Sequence, residues 1–94
     1  MKRVPSTFQL LAHTITVTVI EKRDWKWEDA VAYWNPANNT IELMRQPRTI
    51  MRHAFWHEVA HAVLDMMGQT KLSRNEVFVD AMGGLLAQMM DTAQ

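Results

Sequence analysis

Residues 57–61 read His-Glu-Val-Ala-His. On a helix, positions i and i+4 share one face with their Cβ atoms about 5–6 Å apart, so His57 and His61 can converge on a single metal ion. Glu58 is turned from His57 by about 100° at 3.6 residues per turn, which puts its carboxylate beside the ion rather than on it. There it can take a proton from a water that attacks a carbonyl, and later pass it to the leaving amine. The neighbours are apolar almost all round: Phe55, Trp56, Val59, Val63, Leu64, Met66 and Met67. Burying two imidazoles and a carboxylate among them is unfavourable unless each finds a partner. A metal supplies one. Core histidines satisfied by protein groups are the competing explanation.

The chain has no cysteine, so any metal must be held by histidine and carboxylate. That donor set suits zinc best, one ion per chain, and a catalytic zinc usually takes three protein ligands and a water. The third ligand is expected from Asn-Glu-Val-Phe-Val-Asp at 75–80, where Glu76 and Asp80 stand four apart on one helical face. Gly83 and Gly84 would let this helix come close to the first, while Phe78, Met82, Leu85 and Met89 are expected to turn into the core. Two alternatives stay open. Ser73-Arg-Asn-Glu76 has the form of a capping box, in which Glu76 would bond the Ser73 backbone instead of a metal, and Asp80 could itself be the third ligand.

The elements that must hold these groups can be read coarsely. His13–Ile20 alternates threonine with β-branched apolar residues, the period of a half-buried strand. Glu21–Asp24 supplies a polar turn. Ala30–Trp34 and Thr40–Met44 are short strands joined through Asn35-Pro-Ala-Asn-Asn39, a hairpin loop. Trp25 and Trp27 alternate with Lys26 and Glu28, which suits a strand edge. From Pro47 and Arg48 the apolar spacing turns helical through Met67, with Gly68 as the stop. A last helix runs from the Ser73 cap to about Met90. Strands followed by helices give an α+β domain over 1–94, with a small antiparallel sheet of about three strands and two packed helices.

With these residues in place, the chain resembles a known group. His57-Glu-Val-Ala-His61 followed by Asn75-Glu76…Asp80 looks like the gluzincin pattern of thermolysin-type metallopeptidases, although the connector from His61 to Glu76 is shorter. The sheet, hairpin and HExxH order further resembles the small ImmA/IrrE-like metallopeptidases of bacteria and their phages. The resemblance implies that His57, His61 and Glu76 bind zinc, that Glu58 is the general base, and that Asp80 steadies His57. It implies a zinc-dependent hydrolase of peptide bonds with a peptide or protein substrate. From the layout alone, an edge strand at 40–44 is expected to align an extended peptide by strand addition.

Other residues carry weaker signals. His53 extends the 53, 57, 61 stripe and could assist binding or an oxyanion, against a plain surface role. Tyr33 could donate to an oxyanion, against hairpin packing. Asp65 could support His61 or stay solvated. Arg45, Arg48 and Arg52 form a basic patch that could pair with Glu42 or a substrate carboxylate. Ten basic and ten acidic residues cancel, which argues against nucleic acid as a partner. No run reaches membrane-spanning length, and the first twenty residues lack a signal-peptide core, so a cytoplasmic protein is expected. The methionine-rich helices could mediate homo-oligomers. A non-catalytic, metal-stabilised binding or regulatory module, phage- or mobile-element-associated, is the alternative to the enzyme.

Overall fold

The computed structural model describes residues 3–94. Strands β1 (Thr7–Leu10), β2 (His13–Ile20), β3 (Ala32–Asn35) and β4 (Thr40–Met44) are followed by helices α1 (Arg48–Met66), α2 (Thr70–Ser73) and α3 (Glu76–Thr92). The expected α+β order is observed, with one sheet of four strands, one more than expected. No helix among the described residues is long and apolar enough to cross a membrane.

The strand order is β1-β2-β4-β3. β1 pairs antiparallel with β2 and β3 antiparallel with β4, but β2 and β4 run parallel, from Thr16↔Thr40 to Ile20↔Met44. The sheet is therefore mixed, not antiparallel. The β3–β4 hairpin folds as its Asn-rich loop implies, with Asn39 at φ 55 and the Asn35 carboxamide accepting from Ala37 N–H. It docks on β2 through its second strand, however, so the 40–44 strand lies inside the sheet and β3 forms one edge, with β1 at the other. Ile41 and Leu43 accordingly are fully buried, while Tyr33 on β3 is exposed. The unread strand β1 turns into β2 through Leu11, an apolar residue held at φ 55. Nothing in that residue type announces a left-handed turn. Trp25 and Trp27 are not on a strand. The Trp25 indole donates to Ala30 O and Trp27 packs its ring against Tyr33, 4.7 Å between centroids.

α1 lies across one face of the sheet. Phe55, Val59 and Ala62 pack against Ile15, Val17, Ala32, Trp34, Ile41 and Leu43. The helix ends where expected, at Gly68 with φ 76. Arg52 is buried and paired with Asp91 at 2.7 Å, which ties the start of α1 to the end of α3. Arg45 pairs with Glu21. Neither arginine takes the Glu42 partner that the sequence offered.

α3 docks on α1 through Val79, Gly83 and Ala87, a stripe of small residues at four-residue intervals. The expected core face is the wrong one: Phe78, Leu85 and Met89 are 40%, 67% and 54% exposed, and of that set only Met82 packs inward, beside Ala60, Leu64 and Val79. A helix as apolar as α3 can bury more than one stripe, and the stripe that permits the closest helix contact is the one used. At Gly83 an added Cβ would stand 2.7 Å from His57 Cα. Gly83→Ala would gain up to about 1 kcal/mol of helix propensity but force two backbones apart, at about 1–3 kcal/mol. Net destabilisation is expected in urea unfolding. Gly84→Ala, whose Cβ meets His53 at an ordinary 3.5 Å, serves as the control and should be neutral or stabilising.

Candidate metal centre

The sequence placed His57, Glu58 and His61 on one helix, and α1 carries all three with their backbone groups in the helical ladder. Glu76 comes from the first turn of α3. It is free to reach across because the cap is not Ser73. Asn75 is the cap residue, its Oδ1 accepting from Phe78 N–H at 3.1 Å. Asparagine is as good a cap as serine, so the signal for this reading was present two residues further on. Ser73 is instead the last residue of α2, a short helix between α1 and α3 that the sequence reading omitted.

The Glu76 carboxylate spans the two imidazoles. Its Oε2 lies 3.2 Å from His57 Nε2 and its Oε1 3.3 Å from His61 Nε2. The two rings stand edge to face, 5.1 Å apart. One donor atom from each of His57, His61 and Glu76 falls within 4.8 Å of the others, a grouping that can hold a metal ion. Each ring is also held from behind. Asp80 Oδ1 lies 3.3 Å from His57 Nδ1, and Ser73 Oγ lies 3.2 Å from His61 Nδ1. The Asp80 contact joins the residues that the sequence paired. The Ser73 contact has no signal in the sequence beyond a serine whose type equally suits a helix cap.

Glu58 is not one of the three metal-holding groups but lies beside them, and it is buried, 8% exposed. Burial pushes its carboxyl up from 4.5 to about 7, with the Glu76 carboxylate adding to the rise. His57 and a hydrogen bond with the Trp34 backbone oppose it. That backbone contact follows from the sheet edge. Val31 O accepts from Met44 N–H, so by antiparallel alternation the peptide groups of Ala32 and Trp34 face away from β4. α1 packs against β3 at this edge, and the Trp34 indole fixes the approach by donating to Asp65 Oδ2 at 2.9 Å. Asp65 thus holds the helix to the sheet rather than supporting His61.

One groove runs along β3 and the α1 face, lined among others by Trp27, His53, His57, Glu58, His61 and Glu76. His53 borders it but does not join the metal-holding group. Tyr33 has the opposite strand parity to the buried Ala32 and Trp34 and stacks on Trp27, the hairpin-packing arrangement. Glu76 and Asp80 are well exposed, at 68% and 69% for their side chains, so the centre opens toward solvent on its α3 side.

The raised Glu58 pKa has a stability signature in the metal-free protein. A carboxyl with a higher pKa in the native state than in the unfolded chain favours folding only while protonated. Native stability should therefore fall as pH rises from 4.5 to about 7, then level off. The span corresponds to on the order of 3 kcal/mol. Glu58→Gln should remove this component. In urea unfolding with a chelator present, the variant should match wild type near pH 4 and exceed it by on the order of 2–3 kcal/mol at pH 8. A constant difference across that range would contradict the assignment.

Comparison of the chain with protein-family models, with curated proteins and with solved structures finds no match in any of the three.

Proposed function

We propose that the protein is a zinc-dependent metallopeptidase, with His57, His61 and Glu76 as ligands and Glu58 as the general base. The observation that carries this reading is Glu58. A structural metal site needs no fourth ionisable group, yet here a buried carboxyl that interacts with both His57 and Glu76 adjoins the ligand set. A carboxyl so placed can take up and return a proton beside the ligands.

The donor set suits zinc: two imidazoles and a carboxylate are ligands it takes, and one donor atom each from His57, His61 and Glu76 lies within 4.8 Å of the others. When bound, zinc supplies Lewis-acid chemistry, polarising a substrate carbonyl and making its water more acidic. The chain's own part is then defined. Glu58 accepts the proton of the attacking water and returns it to the amide nitrogen as the C–N bond breaks. Its low-dielectric seat under Trp34 sharpens both transfers. The free edge of β3, with the Ala32 peptide group turned outward, can align an extended peptide across the groove. This is the role first expected of the 40–44 strand, now moved to residues 32–35.

A metal-stabilised binding module is the second reading, and the openness of Glu76 and Asp80 favours it. An ion bound only to the native chain would stabilise it by mass action without any chemistry.

Elemental analysis of the untagged protein tests the centre first. One zinc per chain is expected, lost in His57→Ala and in Glu76→Ala. Absence of metal after refolding with zinc would end both readings. Glu58→Gln then separates them: zinc content should hold while hydrolysis of a peptide library falls by about 10²–10⁴-fold. Full retention of a biological activity in that variant, with no peptide cleaved by the wild type, would favour the module.

A further inference from the structure

We infer that Ser73 is a positioning residue that sets the tautomer and orientation of His61, so that Nε2 rather than Nδ1 faces Glu76. The inference rests on the metal-binding part of the proposed function and is independent of hydrolysis.

The argument is one of proton direction. A hydroxyl has a single proton to give. Ser73 Oγ lies within hydrogen-bonding reach of two groups, His61 O at 3.3 Å and His61 Nδ1 at 3.2 Å. The carbonyl oxygen can only accept, so both contacts are hydrogen bonds at once only when Ser73 gives its proton to His61 O and accepts from the ring. That pairing requires His61 to carry its proton on Nδ1, whereas a proton given to Nδ1 would leave the carbonyl contact without one. In a neutral imidazole that leaves the lone pair on Nε2, the atom 3.3 Å from Glu76 Oε1. Ser73 is 6% exposed, so water has little access to replace either contact.

The placement is a product of the chain between the two metal-bearing helices. Gly68 ends α1 with a left-handed turn, α2 takes up residues 70–73, and Ser73 N–H bonds Gln69 O at 3.0 Å. This folds Ser73 back beneath His61, one helical turn's worth of chain before Glu76. The two histidines are thus held by different means. His57 has the exposed carboxylate of Asp80, and His61 has a buried neutral hydroxyl. Partners of this kind orient a ligating histidine and raise its affinity for metal.

The test measures zinc affinity of the full chain by competition with a chromophoric chelator, for wild type, Ser73→Ala and Ser73→Thr. Thermal unfolding of each metal-free protein runs beside it. Ser73→Ala should bind zinc about 10- to 100-fold more weakly, and Ser73→Thr, which keeps the hydroxyl, should stay close to wild type. Long-range nitrogen–proton NMR spectra of the metal-free wild type should show the His61 proton on Nδ1. Ser73→Ala binding zinc as tightly as wild type, or a His61 proton on Nε2, would overturn the inference. If Ser73→Ala does not fold, the wild-type spectrum and the threonine variant decide. Wild type that binds no zinc brings down the metal reading itself, whereas wild-type binding with an indifferent Ser73→Ala removes Ser73 alone.

Discussion

The centre depends on how closely two helices approach. A carboxylate on α3 reaches two imidazoles on α1 only if the helix backbones touch, and at Gly83 there is no room even for a methyl group against His57. Contact at this distance excludes the larger side chains from the interface, which is why Val79, Gly83 and Ala87 form it and Phe78, Leu85 and Met89 lie outside. The buried Arg52–Asp91 pair fastens the far end of the same contact. Breaking such a pair leaves an uncompensated buried charge, at about 3–5 kcal/mol, so the interface is braced at both ends by interactions that a modest shift would lose.

The sheet acts on the site through its edge. Because β4 sits inside and β3 outside, a strand with outward peptide groups runs beside α1, and one of those groups meets Glu58. The carboxyl is otherwise enclosed, and its desolvation sets its acidity near neutrality. The polar group that makes the enzyme reading attractive is the same group that costs the metal-free fold stability. Such a conflict between local stability and position is the pattern expected at a functional site.

Much of this was legible in the residues. The helical spacing of His57, Glu58 and His61, the strand periods of His13–Ile20 and Thr40–Met44, and the Gly68 stop are all local, and each appeared where the pattern put it. Four-residue spacing put Glu76 and Asp80 on one face of their helix, and the resemblance to the gluzincin pattern placed that face toward the histidines, where the structure has it. Misreadings arose where two local solutions were equally good. Ser73 and Asn75 are comparable caps, and only the packing of α2 under His61 chose between them. Leu11 gave no sign of the turn that creates β1.

By itself, then, the sequence determined the elements and the facing of the site residues within each, because 3.6- and 2-residue periods are properties of a single segment. It did not determine which strand docks on which, since every strand offers the same backbone donors and acceptors to any neighbour. It could not say which stripe of α3 is buried, since several are apolar. Nor could it bring Ser73 to His61 or Trp34 to Glu58. Those pairings are decided by long-range contacts, which satisfy the whole core at once and have no counterpart in local spacing.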